Sequence, residues 1–293
     1  MISFAADDYG VSKEYNRCIE TCLKNGVLNK VSVLPNGDFD GLKDTFSNSN
    51  AEFALHINLV EGRPLSDPRD IGLLTTEQGY FKYSFIGLFL VSLSPKRKEL
   101  AKQLHTEIRN QIRFWKEQVG DGQSISIDSH QHAYMIPLVF KTLTKVIKKE
   151  DVAVRNLRIP SEPILPYLLA PSLYRTYKLN GIIKQWLLKF LACINRRELN
   201  KLNIPYSYFL GVMNSGKLDK AKLEKLLPCY LKIAERHGKN IEIGFHPGYS
   251  DGEPHFIPGV RESFKKFYCS PWRKVEFDTV MDKDLQTKMK EGY

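Results

Sequence analysis

Two adjacent carboxylates, Asp7 and Asp8, and four of the seven histidines, His56, His130, His132 and His246, each follow a short apolar run. One carboxylate and two imidazoles form a common ligand set for Zn²⁺ and related divalent ions, with positions left for water and substrate. An ion in that setting lowers the pKa of bound water and polarises a carbonyl. A second carboxylate can take the proton from that water, and a histidine on the far side can protonate the departing group. Asp7, Asp8, His56, His130 and His246 supply one residue per role, and Asp128, two before His130, is placed to orient an imidazole. Each residue alone has an equally good structural explanation: an aspartate pair can cap a helix, and a buried histidine can simply be hydrogen-bonded. Four strand ends that all finish in metal-capable residues favour a site.

The elements that must position these residues alternate. Ile2, Phe4 and two alanines predict a buried first strand broken at Gly10. Asp7 and Asp8 point to opposite sides of a regular strand, so both serve one site only if the strand is ending there. Val11–Asn25 predicts a helix with Ser12 as N-cap and Gly26 as stop. Further strands are expected at Lys30–Leu34, Glu52–Leu59, Ser124–Asp128, Val152–Ile159, Tyr206–Leu210 and Asn240–Phe245. Helices are expected weakly at Leu42–Phe46 and firmly at Pro95–Val119 (stopped by Gly120-Asp121-Gly122), Pro137–Lys149, Leu218–His237 and Met281–Glu291. This order argues parallel strands with crossover helices, and such a sheet gathers its strand C-termini on one face.

The 293 residues suffice for one large domain, and a 42% hydrophobic, 26% charged composition is that of an ordinary globular chain. We expect a single domain over 1–293 with insertions at about 63–98 and 163–198. The net charge of +10 favours anionic partners. Nucleic acid is not expected, because no nucleic-acid module is recognisable and the aromatics do not interleave with the basic runs. Cys18, Cys22, Cys193, Cys229 and Cys269 are odd in number and contain no CxxC, which reads as reduced thiols in a cytoplasmic protein. No secretory signal and no run of spanning length is visible.

Ala6-Asp7-Asp8-Tyr9-Gly10, His56-Ile57-Asn58-Leu59-Val60-Glu61-Gly62, Asp128-Ser129-His130-Gln131-His132 and His246-Pro247-Gly248 resemble the signature blocks of the YdjC/ChbG-like carbohydrate deacetylases. They keep the family's order, from residue 7 to residue 248. No block is unique alone; the four together are specific. The resemblance implies an α/β fold, a distorted, TIM-like (β/α) barrel, and one divalent metal, Zn²⁺ or Mg²⁺ first and Mn²⁺, Fe²⁺ or Co²⁺ as further candidates. It also implies hydrolysis of an acetamide on an amino sugar. Carried over residue by residue, the metal ligands fall on Asp8, His56 and His130. The general base falls on Asp7, and the acid or oxyanion stabiliser on His246. Asn58, Glu61, Asp128, His132 and Tyr134 are expected to touch substrate or to support the ligands. Two departures stand out: Tyr9 where the family often has Phe, and Tyr134 where it often has a further histidine.

Both insertions are apolar with basic flanks. In the first, Phe85 to Leu93 lies between Lys82 and Lys96-Arg97-Lys98. In the second, Ile182, Ile183, Trp186, Leu187, Leu188, Phe190, Leu191 and Ile194 are interspersed with Arg175, Lys178, Lys184, Lys189, Arg196 and Arg197. A buried helical pair and an interfacial amphipathic hairpin fit the second equally well. The interfacial reading has both insertions resting on the inner-membrane surface and an N-acetylated sugar presented on a lipid carrier. A deacetylase of soluble N-acetyl-oligosaccharides, a non-catalytic metal- or carbohydrate-binding protein, and phosphoester or deamination chemistry on the same metal are the alternatives. Oligomeric state is not legible.

Overall fold

The computed structural model describes residues 1–293 apart from 40, 43–44, 46–48, 120–122, 249–253 and 292–293. The expected Leu42–Phe46 helix lies partly outside the described residues, and the Gly120-Asp121-Gly122 stop lies wholly outside them.

Among the described residues, seven short strands form one parallel sheet: β1 (Ile2–Tyr9), β2 (Lys30–Val33), β3 (Glu52–Ile57), β4 (Ile125–Ser129), β5 (Val154–Leu157), β6 (Tyr208–Leu210) and β7 (Ile241–Phe245). Their order is β5-β4-β3-β2-β1-β7-β6. The first strand therefore lies inside the sheet, with β2 on one side and β7 on the other. The α/β class is as expected from the alternation. Among the described residues the sheet curls into a half-barrel of seven strands, with β5 and β6 at its edges. Its edges approach where Leu157 N donates to Pro205 O at 3.2 Å.

Helices fill the crossovers. In α1 (Lys13–Asn25) the side chain of Ser12 accepts from Tyr15 N, and the Gly26 N–H closes on Cys22 O, as the sequence predicts. In α3 (Arg97–Val119), which follows α2 (Phe85–Ser92), Leu100, Leu104, Ile108, Ile112 and Trp115 form a fully buried stripe. Each contributes roughly 2 kcal/mol of burial, which fixes the helix on the sheet. Two polar residues on α3 then act on the loop after β3. Gln111 Oε1 accepts from Asn58 N, and Gln111 Nε2 donates to Asn58 O. Glu107 accepts from Leu65 N and Ser66 N. Next in order come α4 (Pro137–Lys149), α5 (Leu179–Leu202) and α6 (Lys220–Arg236).

The tail differs from expectation. A helix is expected at Met281–Glu291. Two more precede it: α7 (Glu262–Tyr268) and α8 (Trp272–Val280), with α9 at Lys283–Glu291. Both are short, with little room for an apolar repeat, and both reach the site.

The second apolar segment is one turn at Leu165–Leu168, a 3₁₀ stretch at Pro171–Thr176, and the 24-residue helix α5. Neither reading of it holds alone. Leu188, Leu191, Gln185 and Asn195 are buried, whereas Leu179, Ile183, Trp186, Phe190 and Ile194 on the same helix are exposed. Among the described residues, every exposed large apolar side chain except Met1 lies within 63–98 or 163–198. No helix among them is long and apolar enough to cross a membrane.

Candidate active site

The two aspartates share a face because β1 bulges between them. Ala6 pairs with Val31 and Tyr9 with Val33, so Asp7 and Asp8 together face Ser32 alone. A bulge of this kind re-aims one side chain. Asp8 takes φ = 68°, a left-handed conformation that costs an L-residue roughly 1–2 kcal/mol. The strand does not end to bring the pair together; it kinks. The block after β4 bends likewise, with Gln131 at φ = 52° and His132 at φ = 57°. Such backbone clusters where a site needs it.

Two imidazoles converge on one carboxylate oxygen. His130 Nδ1 is 2.6 Å and His56 Nε2 is 3.1 Å from Asp8 Oδ1. One donor atom from each of Asp8, His56 and His130 lies within 4.8 Å of the other two, and all three residues are buried. The other nitrogen of His56 is held 2.6 Å from Asp128 Oδ1, across a β3–β4 pair in which His56 and Asp128 are partners. A carboxylate behind an imidazole fixes its tautomer and raises its basicity. Burial opposes charge on His56, but Asp128, with Asp8 and Asp7 behind it, overcomes this and lifts the pKa to about 10. Tyr268 on α7 donates its hydroxyl to Asp8 Oδ2 at 2.7 Å. Burial and Asp8 push the Tyr268 pKa well up, so it stays a donor.

Arg158, just past β5, is the residue that sequence reasoning missed. It is 1% exposed. Its Nη1 and Nη2 clasp the two oxygens of Asp7 at 2.7 and 2.9 Å. The guanidinium also meets Asp128 Oδ2 at 2.9 Å and Glu242 Oε1 at 2.5 Å. Lys30 Nζ holds the other oxygen of Glu242 at 2.9 Å. Burial raises the Asp7 pKa, yet the Arg158 charge outweighs it and keeps the carboxyl well below the ordinary range. A charged residue at the end of a strand, between apolar Leu157 and Ile159, was the available signal.

The donor set fits a divalent cation. Asp7, Asp8, Asp128 and Glu242 are buried carboxylates, and Arg158 and Lys30 are the buried cations paired with them. Two negative charges remain on these groups, beside the point where His56, His130 and an Asp8 carboxylate oxygen converge. Asp-His-His in near contact suits Zn²⁺ and related ions.

His246, at the end of β7, stands across from the ligands, with Nε2 3.7 Å from Asp8 Oδ2. Its ring meets the Phe267 edge at 5.1 Å. Glu276 accepts from His246 N at 2.7 Å, and Arg273 donates to His246 O at 2.9 Å. Helix α8 thus fixes this histidine, through two more residues the sequence did not flag.

The supporting residues divide. His132 lines the cavity, and burial, with Lys184 and Arg158 nearby, lowers its pKa well below the ordinary value. Asn58 and Glu61 do not line the cavity and brace the loop after β3. Asn58 Oδ1 accepts from Val60 N and Glu61 N. Glu61 accepts from Arg261 N at 2.8 Å and from Gln131 Nε2 at 3.2 Å. Tyr134 lies in the core behind the site and donates its hydroxyl to Arg158 O. It is not among the residues that line the cavity.

Asp7, Asp8, His56, His130, His132 and His246 open into one cavity of about 1270 Å³. That volume accommodates several sugar rings. Its outer wall includes Phe85 and Ile86 from α2, and Leu179, Ile183, Lys184, Leu187 and Leu188 from α5. Ile86, Leu179 and Ile183 are more than half exposed, so the apolar surface of both segments runs into the cavity mouth.

The YdjC-like protein family matches residues 1–291. The chain belongs to that family. A carbohydrate deacetylase of Thermoanaerobacter pseudethanolicus is 30% identical over 207 residues, 68% of this chain and 78% of that protein. A carbohydrate deacetylase of Danio rerio is 27% identical over 295 residues, 94% of this chain and 90% of its own. A solved Enterococcus faecalis protein named for cellobiose-phosphate cleavage superposes with a TM-score of 0.65 at 17% identity. It covers 99% of this chain and 94% of its own, and shares the fold.

Proposed function

We propose that this YdjC-like protein is a metal-dependent carbohydrate deacetylase that removes the N-acetyl group from an amino sugar and releases acetate. Residues 1–293 act as one catalytic domain. The observation that carries the reading is the convergence of His56 and His130 on Asp8 Oδ1, with Asp7 beside it and His246 opposite. The names of the two curated relatives support the same activity.

Asp8, His56 and His130 would hold the metal, Zn²⁺ or Mg²⁺ in the first instance. When bound, it would acidify water and polarise the acetamide carbonyl. Asp7 then accepts the proton of the attacking water. Arg158 would keep Asp7 ionised and aimed at that water, though as a weak base. His246 stands on the opposite side, where it donates a proton to the departing sugar amine or a hydrogen bond to the developing oxyanion.

The substrate is presented on a lipid carrier at the cytoplasmic face of the inner membrane. The two segments that carry the exposed apolar residues also carry exposed Lys82, Lys96, Arg97, Lys98, Arg175, Lys178, Arg196 and Arg197. Each basic group near an anionic leaflet contributes about 1 kcal/mol. The test is acetate release from one N-acetylated amino sugar, free and on a polyprenyl phosphate, with divalent metal added. Release from the lipid-linked form supports the whole reading. Release from the free sugar alone removes the carrier, and release from neither overturns the activity.

A further inference from the structure

Helix α5 presents two sides. Gln185, Leu188, Leu191 and Asn195 are buried on one. Leu179, Ile183, Trp186, Phe190 and Ile194 recur three or four residues apart on the other, where they are 47–69% exposed. The helix is firmly seated, so this second stripe is built into the fold. Gln185 Nε2 donates to Glu162 O at 2.9 Å, and Asn195 Nδ2 donates to Met135 O at 2.8 Å. A Cβ on Gly181 would lie 2.5 Å from Met213 O, so the first turn meets the loop after β6 backbone to backbone.

The stripe divides where it meets the cavity. Leu179 and Ile183, with Leu187 beside them, line the cavity that holds Asp7, Asp8 and His130, whereas Trp186, Phe190 and Ile194 are not among its lining residues. Phe85 and Ile86 from α2 line the same cavity, and fully buried Leu88 seats that helix on the core. None of these five lining side chains carries a polar atom. Lys178 and Lys184 also line the cavity, to either side of the stripe, and lysine stems cover apolar surface while their charged heads reach for water. A free oligosaccharide extending outwards would lose water from its hydroxyls against the five apolar side chains and gain no hydrogen bond from them. A hydrocarbon chain has no such cost there, and it buries its own apolar surface together with theirs.

We propose that Phe85, Ile86, Leu179, Ile183 and Leu187 form a hydrocarbon groove at the cavity mouth, which takes the first part of an alkyl or prenyl chain joined to the sugar as its aglycone. The inference rests on the deacetylase reading and adds to it where the chain of a lipid carrier goes. The acetamide must reach Asp8, His56 and His130 on the sheet, so the sugar lies between those residues and the groove. What fills the groove is then attached to the sugar away from its N-acetyl group, which points to the aglycone and not to the acyl chain. Ile183 is here a specificity-determining residue, and the chemistry stays with the residues on the sheet.

Calorimetry on the Zn²⁺-loaded protein tests this without vesicles and without relying on turnover. The methyl and heptyl glycosides of N-acetylglucosamine, kept below the micellar range, serve as probes. Each methylene that leaves water can tighten binding up to about fourfold, so the heptyl glycoside is expected to bind at least about tenfold more tightly. In Ile183→Ser the ratio falls towards one, and in Ile183→Leu, which keeps the apolar volume and guards against a folding artefact, most of it returns. Phe190→Ser, on the same stripe but outside the cavity, leaves the ratio as it is. Equal binding of the two glycosides by the wild type, no binding of the heptyl glycoside, or a ratio unchanged in Ile183→Ser overturns the groove. A third probe, N-heptanoylglucosamine, carries the chain on the amide and should gain nothing from Ile183; an Ile183-dependent gain for this probe alone overturns the aglycone assignment. Ile183-dependent binding of the heptyl glycoside without acetate release would sink the deacetylase reading and leave the groove standing.

Discussion

Replacing Arg158 probes how the site is held together. One guanidinium contacts Asp7, Asp128 and Glu242 at 2.5–2.9 Å, with all partners buried. At an effective dielectric of about 20, a pair of charges 4 Å apart attracts by roughly 4 kcal/mol. Most of the sum is consumed by desolvation, and removing one partner of a buried network costs about 3–5 kcal/mol. At about 2 °C per kcal/mol for a chain of this size, Arg158→Met should lower Tm by roughly 6–10 °C. The pH dependence has a definite sign. The Asp7 pKa in the folded protein lies below its ordinary 3.8, so its contribution to stability is present above 3.8 and is lost as pH falls through the depressed value. Without Arg158, burial is opposed on Asp7 only by His56 and His246, and its pKa rises. The acid limb of kcat/KM for acetate release should then move up by about one pH unit or more. Arg158→Lys keeps a charge but not the fork, and should fall between the two. The assays are calorimetric unfolding and a pH–rate profile on folded protein. A variant with Tm within a degree of wild type and an unmoved acid limb would refute the argument.

Three further predictions test other parts of the account. Tyr268→Phe removes the hydroxyl held at 2.7 Å by Asp8 and should weaken divalent-metal affinity about 10–100-fold in a competitive titration. Gly181→Ala places a methyl against Met213 O and should cost about 1–3 kcal/mol in chemical denaturation, whereas Gly72→Ala, with only Pro68 O at 3.9 Å, should cost far less. On anionic vesicles Trp186 emission should shift blue and the exposed Cys193 should lose reactivity, with buried Cys18 and Cys22 silent throughout; unchanged Trp186 and Cys193 signals would argue against a membrane face.

Asp8, His56 and His130, the proposed metal ligands, were legible because each sits in a local block of unusual composition at a strand end. Their convergence followed from parallel topology. The means by which Asp7 and Asp8 share a face was not legible, since a bulge opposite Ser32 leaves no trace in an apolar alternation. Arg158 was missed for a related reason. Its partners Asp7, Asp128 and Glu242 come from three other strands, and only the folded sheet brings them together. Tyr268, Arg273 and Glu276 lie on α7 and α8, helices too short to impose a periodic pattern. Lys178 and Lys184 were visible as two cations among several in a basic, apolar segment, and nothing in the spacing separated those lining the cavity from those facing solvent.

The most direct test of metal-dependent deacetylation at Asp8, His56 and His130 is acetate release by chelator-stripped protein, before and after graded addition of Zn²⁺, beside His130→Ala. The account predicts no release from stripped protein and recovery as one equivalent of metal binds. His130→Ala should remain folded, bind metal weakly and stay inactive at matched metal. Full activity in stripped protein, or unimpaired release by His130→Ala, would contradict it.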